Sequence, residues 1–249
     1  MCVIAVCQTR GMTNQEIRDA FDMNDDGAGF AWSTADGFIN YSKGYMTAND
    51  IIAAYKEKGM RKILPHVVHF RNATSRVCPE LTHPYIVDYD SPNITEYQGQ
   101  LPLLFHNGVL SNWKGMMLDF FMNNKLVIPD GDFSDTRFMA IMTAHLGKNV
   151  LPMLNAGKFV FMTNDIIDIT GDFTNDNGIL YSNLSYKRAY RDKGGVHTSS
   201  GGGGKGKKGS ISSGGPLSVR YNPSARAEDD SDDDDNYEFQ DEDYGRLIS

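Results

Sequence analysis

The chain has 249 residues, of which 40% are hydrophobic and 11% aromatic, enough for one sizeable core. Its formal charge is −8, but residues 228–249 hold eleven acids and one base, so the remaining residues sum to about +2. This nearly neutral body gives no sign of the basic face that nucleic-acid binding requires, and nucleic acid is not an expected partner.

No apolar run approaches the roughly 18 residues that cross a membrane, and no basic region followed by an apolar stretch marks a secretory signal. We therefore predict no membrane partner. The three cysteines, Cys2, Cys7 and Cys78, form no C-x-x-C pair. They are most simply interpreted as reduced thiols, which indicates a cytoplasmic location.

In the first half of the chain, residues 3–6 predict a buried strand and residues 14–21 a helix. Strands are expected around 30–32 and 38–41, after a glycine-rich turn. Thr47 followed by Asp50 is typical of a helix N-terminus, and this helix is expected to run to about residue 59. Residues 63–70 predict another strand.

In the second half, residues 78–102 are punctuated by prolines and predict a loop-rich stretch. A short strand at 103–105 precedes two helices, at 113–123 and 134–146. Strands are expected at 158–163, 166–170 and 178–184. Helices gathered in the middle and strands at both ends favour a layered α+β fold over a doubly wound parallel one.

The composition predicts three segments. Residues 1–190 read as one mixed domain, and residues 191–227 are rich in glycine and serine, which predicts a flexible linker. Residues 228–249 are acidic with few apolar side chains, so we expect a disordered tail. Three aromatic residues within that tail (Tyr237, Phe239 and Tyr244) are candidate anchors for a protein partner.

Cys2 follows Met1 directly, and a small residue at this position normally lets the methionine be removed. The chain would then begin with a cysteine that carries both a thiol and a free α-amino group. The thiol can attack, and the amine, with an ordinary pKa of about 7.7–8.0, can accept the proton near neutral pH. The alternative is an unremarkable cysteine in a first strand.

Five short clusters follow Cys2 in the order seen in one enzyme family. They are Asp26-Gly27-Ala28-Gly29, residues 69–74 (His-Phe-Arg-Asn-Ala-Thr), Thr82-His83-Pro84, His106-Asn107-Gly108 and Ser134-Asp135-Thr136. Over residues 2–184 the chain resembles the class II glutamine amidotransferases. This resemblance implies the N-terminal-nucleophile (Ntn) hydrolase fold, a four-layer αββα sandwich with antiparallel sheets.

The resemblance also implies a role for each motif residue. Cys2 would attack the side-chain amide of glutamine and form a glutamyl thioester, releasing ammonia and then glutamate. The Asn107 amide and the Gly108 N–H would stabilise the oxyanion. Arg71 would bind the α-carboxylate and Asp135 the α-ammonium group of glutamine. Further residues expected at the substrate site are Thr74, His83 and His106.

Each motif also has an interpretation without chemistry. Arg71 could be a surface charge at a strand end, Asn107-Gly108 a hairpin turn, and Asp135 a first-turn helix acid. His66 and His69 are spaced like metal ligands, but residues three apart on a strand point to opposite faces. We therefore expect neither a metal nor a cofactor.

The sequence therefore predicts a glutaminase or glutamine amidotransferase that supplies ammonia to a separate acceptor synthase. One alternative keeps the fold and nucleophile but acts on another γ-glutamyl or linear amide. A second alternative is a non-catalytic scaffold that works through its acidic tail.

Overall fold

The structure is a computed structural model and describes residues 2–74, 76–185, 187 and 217–220. The predicted acidic tail and most of the predicted linker lie outside these residues. Of the helices described, none combines the length and the apolar character that spanning a bilayer requires. The described domain is built from two antiparallel sheets and five α-helices.

The first sheet has seven strands in the order β10-β11-β1-β4-β2-β3-β6, and every neighbouring pair is antiparallel. The N-terminal strand lies inside this sheet, between β11 and β4, because its residues are apolar on both faces. The strands are β1 (Val3–Cys7), β2 (Ala28–Ser33), β3 (Ile39–Tyr45), β4 (His66–Phe70), β6 (Glu96–Gly99), β10 (Thr174–Asp176) and β11 (Ile179–Tyr181).

The second sheet has five strands in the order β12-β9-β8-β7-β5, again all antiparallel. Its central strand pair is long and apolar, which places the end of β7 at a fixed position beside β8. The strands are β5 (Tyr85–Ile86), β7 (Leu103–Gly108), β8 (Gly157–Met162), β9 (Ile166–Thr170) and β12 (Leu217–Arg220).

Side-chain caps start three of the helices. Thr13 forms a complete capping box with Glu16, and the hydroxyls of Thr47 and Ser134 accept the first free N–H groups of their helices. These caps fall where the sequence predicts helix starts. The helices are α1 (Asn14–Asp22), α2 (Ala48–Glu57), α3 (Trp113–Asn123), α4 (Asp135–Leu146) and α5 (Val150–Met153).

The alternation of side chains along each strand produces four layers. On β1, Ile4 and Val6 pack between the sheets, against a cluster that includes Phe105 of β7. On the other face of the first sheet, Ala5 packs with α1 and α2, whereas Leu104 of the second sheet packs with α3–α5. The predicted α+β class with an αββα order of layers is confirmed.

Five elements differ from the sequence-based expectations, among them the short strands β5 and β10, which were not predicted. Residues Glu96–Gly99, expected in a loop-rich stretch, form the edge strand β6, whose partner among the described strands is β3. The strand is short and polar, so it lacks the apolar alternation that identifies strands. Helix α5 was also missed, because it has four residues. Strand β12 lies within the predicted linker and pairs with β9.

Candidate active site

Cys2 immediately precedes β1, and its residue is buried, with 8% of its surface exposed. Its Sγ accepts the backbone N–H of Asn72 at 3.3 Å and lies 3.5 Å from the Asn72 carbonyl oxygen. The Cys2 carbonyl oxygen accepts a hydrogen bond from Asn183 Nδ2 at 2.7 Å. These contacts fix the thiol between the start of β1, the loop after β4 and the segment after β11.

The surroundings of Cys2 keep its thiol protonated at rest. Burial raises the pKa of the Cys2 thiol, and the Asn72 N–H and the positive charge of Arg71 oppose this rise only in part. Among the described residues, Asn72 is the hydrogen-bond partner of Sγ, and no imidazole or carboxylate contacts it directly. The thiol therefore needs a proton acceptor before it becomes a nucleophile.

The loop after β4 is held in place by the turn at Asp26 and Gly27. The Arg71 N–H donates to the Gly27 carbonyl oxygen at 2.8 Å, and the Asp26 N–H donates to the Arg71 carbonyl oxygen at 3.2 Å. The Asp26 carboxylate accepts the N–H of Ala73 at 2.7 Å. Gly27 has φ +107°, a conformation that favours glycine. The glycine-rich cluster at residues 26–29 therefore holds the cluster at residues 69–74 in place.

Arg71 and Asp135 bring opposite charges to the cavity beside Cys2. The Arg71 residue is only 3% exposed, although it lines the cavity. Asp135 is the first residue of α4, and its carboxylate accepts the N–H groups of Thr136 at 2.8 Å and Leu110 at 3.0 Å. These bonds hold the carboxylate beside the helix N-terminus, where the helix dipole stabilises a negative charge.

The cavity is small, with a volume of about 30 Å³. Arg71 Nη2 donates to the Arg76 carbonyl oxygen at 3.0 Å, and the Arg76 side chain pairs with Asp132 at 2.6 Å. These two contacts link the loop after β4 to the segment that precedes α4.

Three buried histidines form a hydrogen-bonded network, and two of them, His83 and His106, line the cavity. His83 Nε2 and His106 Nδ1 lie 3.0 and 3.1 Å from the Thr136 hydroxyl. His106 Nε2 contacts the Ala156 carbonyl oxygen at 3.0 Å, and His69 Nε2 contacts the His106 carbonyl oxygen at 3.0 Å. Because a carbonyl oxygen only accepts, these two Nε2 atoms carry hydrogens. The His69 and His83 rings stack at 3.9 Å.

These histidines are neutral at neutral pH. Burial lowers the pKa of His69 to about 3 and the pKa of His83 well below its ordinary value. Burial also lowers the pKa of His106, although the nearby Asp135 carboxylate counteracts this effect. The network therefore fixes hydrogen bonds rather than transferring protons. Across the described part of the chain, no group of three or more His, Cys, Asp or Glu could hold a metal ion.

Asn107 and Gly108 end strand β7 rather than forming a hairpin turn. A Cβ on Gly108 would lie 2.0 Å from the Ala156 carbonyl oxygen, so only glycine fits there. Asn107 is 5% exposed, and its Nδ2 lies 2.8 Å from the Ser182 hydroxyl oxygen. Asn107 is therefore connected through Ser182 to Ile4 in β1.

The structure brings most of the predicted site residues together. Seven of the eight line one cavity, and Asn107 lies next to it: the seven are Cys2, Arg71, Thr74, His83, His106, Gly108 and Asp135. Sequence reasoning gave no role to Thr136, Ser182 or Asn183. Thr136 stands inside a recognised cluster, whereas Ser182 and Asn183 follow an ordinary strand and carry no motif that could have identified them.

Comparison by sequence finds no matching protein-family model and no matching curated protein. Comparison by structure finds a glutamine phosphoribosylpyrophosphate (PRPP) amidotransferase from B. subtilis, complexed with ADP and GMP, at 15% identity and a TM-score of 0.50. The match covers 73% of this chain and 42% of that chain. The chain thus spans about two fifths of the protein that it matches. The predicted Ntn-hydrolase fold is confirmed.

Two further structures are similar at lower scores. One is the allosteric regulatory enzyme of purine biosynthesis, at 15% identity and a TM-score of 0.49, with 73% of this chain and 41% of that chain covered. The other is a predicted glutamine amidotransferase from Pseudomonas aeruginosa PA01, at 13% identity and a TM-score of 0.30, with 72% and 78% covered.

Proposed function

We propose that this domain hydrolyses the side-chain amide of glutamine through a thioester on Cys2 and releases ammonia and glutamate. The observation that carries the proposal is that one cavity is lined by a buried cysteine and by two residues of opposite charge, Cys2, Arg71 and Asp135. A free amino acid carries an α-carboxylate and an α-ammonium group that complement this pair of charges. The name of the structural neighbour from B. subtilis, a glutamine PRPP amidotransferase, supports glutamine as the substrate.

In the first step, the Cys2 sulfur attacks the amide carbon and its proton passes to a base. The proposed base is the α-amino group of Cys2 itself, freed by removal of Met1, because no described side chain accepts a hydrogen bond from Sγ. The Arg71 charge and the Asn72 N–H favour the thiolate that forms. The C–S bond forms, the C–N bond breaks, and the protonated amine returns its proton to the leaving ammonia.

The carbonyl oxygen gains negative charge during this attack and requires hydrogen-bond donors that are already in place. Gly108 lines the same cavity as Cys2, and without a side chain its backbone can approach a substrate closely. Asn107 is the second proposed donor, through its side-chain amide. Water then attacks the thioester carbon, and glutamate leaves as the Cys2 thiol is restored. Loss of one such donor typically reduces the rate by about 10²–10³.

Substrate recognition is assigned to the two charged residues and their supports. The planar guanidinium of Arg71 can bind the α-carboxylate through two parallel hydrogen bonds. Asp135 would accept from the α-ammonium group, and the Thr74, His83 and His106 side chains complete the walls of the cavity. An acceptor synthase for the ammonia, a partner for the acidic tail and a cytoplasmic location stay predictions.

The test is intact mass before and after incubation with an electrophilic glutamine analogue, followed by mapping of the adduct. We expect a mass without Met1 and one adduct, on Cys2. Cys2→Ala should abolish both the adduct and glutamine hydrolysis. Cys7→Ala and Cys78→Ala are the matched controls and should keep activity, since Cys7 faces α1 and α2 in the core and Cys78 lies outside the cavity lining.

Two outcomes would contradict the proposal. One is a retained Met1 on an active protein, because the proposed base would then be absent. The other is a correctly processed protein that neither reacts with the analogue nor hydrolyses glutamine. Arg71→Lys and Asp135→Asn provide a separate check: each should raise KM about 10- to 100-fold, which corresponds to one charge-assisted interaction.

A further inference from the structure

Ser182, the residue after β11, places a hydroxyl between the start of β1 and Asn107. Its residue is 1% exposed, and its Oγ accepts the Ile4 N–H at 2.9 Å. The Ser182 N–H donates in turn to the Ile4 carbonyl oxygen at 2.9 Å. Because Ile4 lies two residues after Cys2, this reciprocal pair fixes the hydroxyl close to the nucleophile. Asn107 Nδ2 lies 2.8 Å from the same hydroxyl oxygen.

Only one of the two polar atoms of the Asn107 carboxamide, Nδ2, has a hydrogen-bond partner among the described residues. Its Oδ1 is buried and has no hydrogen-bond partner among the described residues. The Ser182 oxygen meanwhile accepts two N–H groups, and within the described part of the chain no acceptor takes its own proton. A buried carbonyl oxygen without a partner is costly. The site therefore holds an unused acceptor on Asn107 beside an unused donor on Ser182.

Rotation of the carboxamide by 180° about its Cβ–Cγ bond pairs the unused acceptor of Asn107 with the unused donor of Ser182. The oxygen and nitrogen ends of a carboxamide have nearly the same size, so the rotation leaves the packing unchanged. Ser182 then donates its O–H to Asn107 Oδ1 and still accepts the Ile4 N–H. Asn107 Nδ2 moves to the position of the orphaned oxygen, with both of its hydrogens free for another acceptor.

We propose that Ser182 is a positioning residue that holds Asn107 Oδ1 and so turns Asn107 Nδ2 toward the oxyanion formed at Cys2. This inference rests on the proposed function, in which Asn107 is an oxyanion donor. A donor that is oriented before the reaction stabilises the developing charge without reorganisation. Without the hydroxyl, the oxygen end of the carboxamide can face the oxyanion and repel it.

The test is a double-mutant cycle on glutamine hydrolysis with Ser182→Ala and Asn107→Ala. Ser182→Ala should lower kcat about tenfold, as expected for one lost orienting hydrogen bond, and leave KM unchanged. In the Asn107→Ala background, Ser182→Ala should have no further effect, because there is no amide left to orient. Ser33→Ala, which removes another buried hydroxyl on β2, is the matched control and should keep the wild-type kcat.

A second readout separates positioning from structural support of β1. Alkylation of Cys2 by iodoacetamide forms no oxyanion, so its rate, followed on the Cys2 peptide by mass spectrometry, should be the same in Ser182→Ala and wild type. Slower or faster alkylation in Ser182→Ala would show that the variant displaces the thiol. That result, or an equal loss of kcat in the Asn107→Ala background, would overturn the inference.

Failure of the proposed function gives a different pattern. A wild-type protein that hydrolyses no glutamine contradicts the proposed function and, with it, the catalytic role of Ser182. Urea unfolding of the four proteins of the cycle (wild type, the two single variants and the double variant) then tests the Ser182–Asn107 contact independently of activity. A coupling of about tenfold in the unfolding equilibrium between Ser182 and Asn107 would support the orienting hydrogen bond, and independent effects of the two substitutions would overturn it.

Discussion

Lys43 makes stability depend on pH in a direction that can be tested without knowing the substrate. It lies on β3, is 4% exposed, and donates from Nζ to the Pro84 carbonyl oxygen at 2.9 Å. The ammonium group also lies 4.4 Å from the centre of the Tyr85 ring. Burial lowers the pKa of Lys43 to about 7, and the positive charge of Arg137 adds to this effect.

The sign follows from the two pKa values. Lysine in the unfolded chain has a pKa of about 10.4, so between pH 7 and pH 10 the unfolded state binds more protons than the folded state. The free energy of unfolding therefore rises with pH across this interval. Three pKa units correspond to about 4 kcal/mol in total, or about 1.4 kcal/mol for each pH unit. Below pH 7 this contribution is constant.

The perturbation is Lys43→Met, which keeps the length of the side chain and removes its charge. Urea unfolding of wild type and Lys43→Met at pH 7, 8 and 9 measures the difference. We expect wild type to gain about 2–3 kcal/mol relative to the variant between pH 7 and pH 9. The lost hydrogen bond to Pro84 shifts the variant by about 1 kcal/mol at every pH. Parallel pH profiles for the two proteins would refute the reasoning.

The difference in the free energy of unfolding between wild type and Lys43→Met excludes the contribution of other buried groups that titrate. Burial raises the pKa of Cys7 to about 12 and also raises the pKa of the Tyr85 hydroxyl. Both groups therefore reduce stability as the pH rises above the unfolded-state values, in the opposite direction to Lys43. Because the variant retains them, their contribution cancels in the difference between the two proteins.

Two further predictions concern Gly108 and His66. Gly108→Ala would place a Cβ 2.0 Å from the Ala156 carbonyl oxygen, so we expect a loss of about 1–3 kcal/mol in urea unfolding together with loss of glutamine hydrolysis. Gly115→Ala in α3 is the control, since its new Cβ meets only the Asn112 side chain, and it should keep wild-type activity. If Gly108→Ala is as stable as wild type, the steric argument is wrong. Burial lowers the pKa of His66 to about 4. Between pH 6.5 and pH 4 the free energy of unfolding of wild type should therefore fall by about 3 kcal/mol relative to that of His66→Gln. The same dependence of stability on pH in both proteins would contradict this.

Much of the local structure could be predicted from the sequence. Apolar runs identified β1, β7 and β8, and the hydroxyl caps Thr47 and Ser134 marked the starts of α2 and α4. These signals are local, since a cap or an apolar run acts within a few residues of itself. The order of five short clusters behind Cys2 also indicated the fold and seven residues that line one cavity.

The sequence could not show how these residues contact one another, because the contacts join strands that are far apart in the chain. Ser182 reaches Asn107 across 75 positions and Ile4 across 178, and no pattern near Ser182 announces either contact. The sequence did not predict the edge strand β6 for a related reason. This strand is polar and forms through its pairing with β3, which no local apolar pattern indicates.

What the sequence determined by itself is therefore the kind of chemistry: a thiol at Cys2, a guanidinium at Arg71 and a carboxylate at Asp135, in a layered α+β chain. Only the tertiary structure decided that these groups share one narrow cavity, that its histidines are neutral and that Ser182 lies beside Asn107. The physical reason is that burial and long-range pairing set pKa values and hydrogen-bond partners, and both exist only once the two sheets have packed.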